Sequence, residues 1–261
     1  MKSYVHHIIY ATLTVLLCTG VGLIVHDVRT KRKLVTVNRL QVEFADSLKF
    51  VSESDIKGFL SANYGPYIGQ RLDSIKLHDI ESMLKSRSAV LESQAWTTED
   101  GTLHISITQR APQMRFANGS SGYYIASDGY IFPLHKSYTA DVPTIYGNIP
   151  MMPSANYKGP APTIEQREWF SDMLEFKRTA YSRQGPSKKI DSLWVDSKGD
   201  LRLTVQGENE MFIFGNPKQL EEKFAKIDKY FAYIKPFKQE GYYKIVNLKY
   251  KEQIICRQKD I

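Results

Sequence analysis

Residues Ile8–Val25 (IIYATLTVLLCTGVGLIV) contain no charged side chain. At 1.5 Å per residue, a helix over this run spans about 27 Å, close to the hydrocarbon thickness of a bilayer, so it reads as a membrane anchor. The rival readings are a buried core helix and a cleaved signal peptide. The run leads into Val25-His26-Asp27-Val28-Arg29, not into the small-residue site a signal peptidase needs, which favours an uncleaved anchor. Residues 1–33 then make up a short tail, the anchor and a basic juxtamembrane segment. Lys2 flanks one end, while Arg29, Lys31, Arg32 and Lys33 flank the other. Taken alone, these charges place the larger part of the chain in the cytoplasm, although long domains are translocated with little regard for such charges.

The rest has the makings of a globular protein. Hydrophobic residues are 42% and charged residues 24%, ordinary values for a chain that buries a core. The fold class is α+β, in two modules. Residues 34–112 read as strand, helix, helix, strand, strand. Leu34–Val37 and Leu40–Phe44 supply the first strand, and Ser52-Glu53-Ser54-Asp55 opens a helix that Gly65-Pro66 ends. Leu77, Ile80, Met83 and Leu84 mark one face of a second helix. Asp100-Gly101 joins the last two strands, and Ala111-Pro112 closes the module.

Residues 113–261 are richer in strands. Asp128-Gly129 turns one hairpin, and the prolines at 150, 153, 160 and 162 mark a loop. Ile164–Tyr181 is helical by pattern. Strands are expected over Ser192–Asp196, Leu201–Gln206 and Met211–Phe214, then a helix bearing Leu220, Phe224, Ile227, Phe231 and Ile234. Two strand-like runs follow, Tyr242–Tyr250 and Gln253–Cys256.

A net charge of +7 and a pI near 9.1 raise the question of nucleic acid. No basic run interleaved with aromatics follows residue 33, and no zinc-finger or RNA-binding signature appears, so no nucleic acid partner is expected. Cys18 lies in the apolar run and cannot pair with Cys256, which leaves neither a disulfide scaffold nor a cysteine metal site. None of His6, His7, His26, His78, His104 and His135 has the spacing of a zinc ligand. No nucleophile elbow, phosphate loop or dinucleotide fingerprint occurs. Gly119-Ser120-Ser121-Gly122 lacks a lysine and a following helix and reads as a turn, and Glu221-Glu222 reads as a solvated helix face. The chain is therefore expected not to be an enzyme and to use no cofactor and no small-molecule substrate.

Several short segments, in order, resemble the FtsQ/DivIB bacterial cell-division proteins over nearly the whole chain. They are Gly101-Thr102-Leu103-His104-Ile105 and Gln109-Arg110-Ala111-Pro112; then Tyr124-Ile125-Ala126-Ser127-Asp128-Gly129-Tyr130-Ile131-Phe132-Pro133; then Val142-Pro143-Thr144-Ile145-Tyr146-Gly147 and Val246-Asn247-Leu248-Lys249-Tyr250. The resemblance implies a single N-terminal transmembrane helix, a POTRA module (βααββ) over 34–112 and an FtsQ-type mixed β domain over 113–261. It implies a cytoplasmic N-terminus, both modules on the periplasmic or outer side of the inner membrane, and a place at the division septum. The flanking charges oppose this topology, and the architecture overrules them.

The function implied is that of a non-catalytic divisome scaffold linking early division proteins to septal peptidoglycan synthesis. Its partners would be FtsB-like and FtsL-like coiled-coil proteins, with others recruited through the POTRA module and the lipid bilayer held by the anchor. In the family the last strands form a docking edge for a partner strand, and a sheet edge has free N–H and C=O groups suited to that. Val246, Leu248, Tyr250 and Ile254 are the candidate contacts there, with inward packing the alternative for Val246 and Leu248. Arg202 resembles an arginine that meets an acidic partner residue. Tyr64, Tyr67 and the second helix are the POTRA candidates. Competing readings are a POTRA-containing envelope-transport or secretion component, a membrane-anchored enzyme, and a lipid binder using Arg29–Lys33.

Overall fold

The structure is a computed structural model; it describes residues 12–26, 35–119, 121–136, 138–151, 153–154, 156–185 and 190–258. The chain separates into two compact units, Met1–Gln109 and Arg110–Ile261.

In the first unit, residues 12–26 form helix α1. The first four residues of the apolar run, and the basic segment at Arg29–Lys33, lie outside the described residues. Among the described residues no helix is long and apolar enough to cross a membrane. After α1 come β1 (Arg39–Phe44), α2 (Glu53–Asn63), α3 (Leu77–Lys85), β2 (Val90–Thr97) and β3 (Thr102–Gln109), with a 3₁₀ turn at Leu72–Ser74. The sheet order is β1-β3-β2, with β1 parallel and β2 antiparallel to β3.

Ser52 starts α2 because its hydroxyl accepts the Asp55 N–H while the Asp55 carboxylate accepts the Ser52 N–H, a reciprocal cap. Ile56, Leu60, Ile80 and Leu84 from the two helices are fully buried, as are Leu103, Ile105 and Ile107 from β3. Buried Gln109 ends this unit: its side chain accepts from Val51 N–H at 2.9 Å and donates to Asp46 and to the Leu48 carbonyl. Tyr67 belongs to the core, and the Tyr64 hydroxyl accepts the Lys76 N–H at 2.9 Å, so both tyrosines serve the module's own structure.

The second unit runs β4 (Pro112–Asn118), β5 (Ser121–Ala126), β6 (Tyr130–Pro133), β7 (Thr144–Gly147), β8 (Gly159–Pro160), α4 (Ile164–Ser182), β9 (Ile190–Val195), β10 (Leu201–Val205), β11 (Met211–Gly215), α5 (Leu220–Lys229), β12 (Tyr243–Asn247) and β13 (Ile255–Gln258). These strands form one ten-stranded sheet in the order β13-β12-β11-β10-β9-β7-β4-β5-β6-β8. Pro112, expected to close the first module, instead opens β4 and pairs with Ala126. The first Pro of a strand costs no ladder hydrogen bond there, because its missing N–H falls at the strand's start.

Helices α4 and α5 cover one face of this sheet. Phe176 of α4 and Phe224 of α5 meet Phe214 of β11 with ring centroids 5.1 Å apart in each case. Three strand pairs are parallel, β4–β7, β7–β9 and β11–β12. Gly147 ends β7 with φ +94, and a Cβ there would sit 2.2 Å from the Val195 carbonyl oxygen, so only glycine allows β7 to lie this close to β9. The helix expected to reach Ile234 stays α-helical only to Lys229. It widens into a π turn over Tyr230–Ile234 and tightens to 3₁₀ at Lys235–Phe237, where Pro236 has no N–H to continue an α ladder.

Candidate partner-binding edge

The free flank at the C-terminal end of the large sheet belongs to β13. Strand β12 lies between β11, to which it is parallel, and β13, to which it is antiparallel. Tyr243–Asn247 is therefore paired on both sides, which leaves β13 as the outer of the last strands. Among the described residues no strand lies outside β13, and alternate N–H and C=O groups of Ile255–Gln258 point away from β12.

Val246 and Leu248 are fully buried and belong to the core beneath α5. This is the inward packing that the sequence left as the alternative for these two residues. Tyr250 sits beyond the end of β12, in the turn between the strands, and is 52% exposed. Ile254 is half-buried and packs on the core from the same turn.

Arg202 lies on β10, three strands in from β13, and both its Nε (2.9 Å) and Nη2 (2.6 Å) donate to Asp196 Oδ2. Burial raises the Asp196 pKa, but the Arg202 bonds and the Asp200 and Lys198 N–H groups more than offset this, leaving it below its usual value. Arg202 thus already has a carboxylate partner within its own chain, and it is not at the edge.

The turn 248–254 is held by two groups on α5. Buried Lys226 donates from Nζ to the carbonyls of Tyr250 (2.6 Å) and Leu248 (3.3 Å) and pairs with Glu222 at 2.8 Å. Glu222 in turn accepts the Glu252 N–H at 3.0 Å, and the Lys226 bond first, then this one, lowers its pKa. Glu252 takes a left-handed φ of 58 in that turn. This clamp presents Tyr250 to solvent next to the free strand. On β13 itself, exposed Ile255 and Arg257 flank Cys256, whose thiol is pushed up in pKa by burial and then by nearby Glu210, making it a poor nucleophile.

Ile255, Tyr242 and Lys226 were not singled out from sequence, and Glu222 was read there only as part of a solvated helix face. Tyr242 is 37% exposed, its ring lies under Lys238 Nζ at 4.8 Å, and its hydroxyl meets Gln258 Nε2 of β13. A register shift between β12 and β13 falls between Tyr243 and Ile245. Beyond it Val246 is buried, and Ile245 and Asn247 on either side of it are half-buried.

The fold is that of a two-module α+β protein: a three-stranded βααββ module and a ten-stranded mixed sheet. Residues 35–108 match the POTRA-like domain model, and residues 111–257 match the model described as FtsQ/DivIB, C-terminal related. The chain belongs to the FtsQ/DivIB family. That is a family of division proteins that work in complexes with protein partners. A search of curated proteins returned no match for this chain.

Proposed function

We propose that this chain is a non-catalytic scaffold of the bacterial division machinery that binds FtsB-like and FtsL-like coiled-coil membrane proteins by strand addition at β13. The proposal includes an anchor over Ile8–Val25, the two modules on the outer side of the inner membrane, and a link from early division proteins to septal synthesis. What carries it is the ten-stranded sheet ending in a four-residue strand whose flank is unpaired among the described residues, next to a clamped turn that displays Tyr250. A peptide added there would gain main-chain hydrogen bonds along Ile255–Gln258 and side-chain contacts to Tyr250, Ile255 and Tyr242.

The test is co-purification of the full chain with candidate division partners, comparing wild type with Tyr250→Glu and Ile255→Asp. Both substituted side chains are exposed, so circular dichroism should report an unchanged fold. Loss of one coiled-coil partner is expected from each, with binding weakened at least about tenfold. Retention of every partner by both variants would place the docking site elsewhere. The transport reading calls for modules in series or a barrel, whereas the match over 111–257 favours division.

A further inference from the structure

Away from the β13 edge, the second unit holds a cavity on the sheet face opposite α4. Along β4, Met114 and Phe116 point into the core, and Arg115 between them points the other way. Arg115 stands opposite Tyr124 on β5 and Thr144 on β7. Here Tyr124 and Phe132 form a small second layer, with rings 5.5 Å apart, and the Tyr124 hydroxyl accepts the Ala140 N–H at 3.1 Å. The chain after β6 folds over this layer, and Gly122 makes room for it: a Cβ at 122 would lie 3.0 Å from Leu134 Cδ1 and 2.4 Å from the Phe116 carbonyl oxygen.

Between this cover and the sheet is a cavity of about 520 Å³, the size of an ordinary small-ligand site. Its lining carries three basic side chains, Arg115, His135 and Lys136, with hydroxyls from Ser121 and Thr139. No Asp or Glu is among the described residues that line it. The Arg115 Nε is closed off and, among the described residues, has no hydrogen-bond acceptor, so half-buried Arg115 can meet a ligand only through its terminal nitrogens. A planar guanidinium suits an oxyanion best. The basic lining without a carboxylate among the described residues is what points to an anion.

We propose that this cavity is a binding site for a small oxyanion-bearing ligand, a carboxylate or phosphate compound, held by the Arg115 fork with Lys136 and His135 at its rim. The site is independent of strand addition at β13, and either can fail without the other.

Calorimetric titration of the full chain in neutral detergent at about 150 mM salt, which screens diffuse attraction, tests it with inorganic phosphate and citrate as probes. Saturable binding of at least one probe is expected; which one binds distinguishes a phosphate site from a carboxylate site. Arg115→Gln should weaken binding at least about tenfold, and Lys136→Gln by a smaller factor. Lys198→Gln, which removes a charge from a distant exposed turn, should leave binding unchanged. If Arg115→Gln fails to fold, Lys136→Gln decides alone, since Lys136 is exposed. No saturable binding of either probe would overturn the proposal, as would Lys198→Gln weakening binding as much as the cavity variants.

Discussion

Lys226→Met tests whether the clamp on the 248–254 turn sets the docking edge. Methionine keeps most of the buried lysine stem and removes only the ammonium group. That group makes a short bond to the Tyr250 carbonyl at 2.6 Å and a longer one to the Leu248 carbonyl at 3.3 Å. A hydrogen bond to a charged donor is worth about 1.5–3 kcal/mol net, and the long one belongs at or below the bottom of that range. Tyr250 keeps a second donor in the Gln253 N–H at 3.3 Å, and Glu222, whose side chain is a third exposed, rehydrates. Losing a buried ammonium also returns part of its desolvation penalty. The expected net loss is about 2 kcal/mol, read as a lower urea midpoint with an unchanged slope. Amide exchange at Lys251–Gln253 should accelerate, and partner binding should fall with the fold intact, because Tyr250 is no longer held beside β13. A stability change within about 0.5 kcal/mol, with protection of the turn unaltered, would refute the clamp.

Two further expectations concern charge. The Asp196 carboxylate is held below its usual pKa against Arg202, so its stabilisation is present above the unfolded carboxylate value and is lost as pH falls through the depressed folded value. Arg202→Gln should flatten that acid limb in urea titrations run at successive pH values, with partner binding at neutral pH little changed; an unaltered acid limb would remove Arg202 as its cause. Lys223 is buried and its Nζ donates to the Asn216 carbonyl and side chain at 2.8 and 2.7 Å. Burial first, then Lys226, lowers its pKa to about 8. Above that value the unfolded chain binds the proton that the folded chain has released, so stability should rise with pH between about 8 and the unfolded lysine value. Lys223→Met should abolish that rise, and a wild-type curve that falls over the same window would contradict the sign.

Local signals in the sequence located most of the elements. Ser52 with Asp55 caps α2, and Asp128-Gly129 joins β5 to β6 with Tyr124 opposite Phe132. Of the stripe Trp169, Met173, Phe176 and Ala180 on α4, the last three are buried and Trp169 is half-buried against the core. The order of the strands was not legible, because the parallel pairings β4–β7 and β7–β9 join segments separated by loops or a helix and leave no local pattern. Nor was the inner face of the last ribbon: period-two alternation separates two faces without naming the buried one. Glu221-Glu222 looked like a solvated pair. In the fold Glu221 meets Arg183, and Glu222 joins Lys226 in holding a turn thirty residues on, as the Glu252 bond shows. Buried lysines such as Lys226 carry no sequence mark, since the carbonyls that justify burying them come from another segment.

The two edges of the large sheet are managed in opposite ways, and that asymmetry bears on what the sheet is for. At one end β8 is two residues long, Gly159–Pro160, and the proline has no N–H to offer. An incoming strand finds almost nothing to pair with there. At the other end β13 presents four residues without a proline, beside a turn that three side-chain bonds from α5 hold in place. A free edge invites self-association, and here its short length and the exposed Arg257 on it oppose a long, register-indifferent pairing with another copy. A partner with a short matching strand and a group to meet Tyr250 escapes that restraint, because side-chain contacts supply what four residues of ladder lack. An edge left open by accident would need neither the clamp nor the contrast with β8. Among the described residues, one edge without donors and one short, braced, unpaired edge together support the proposed strand addition at β13.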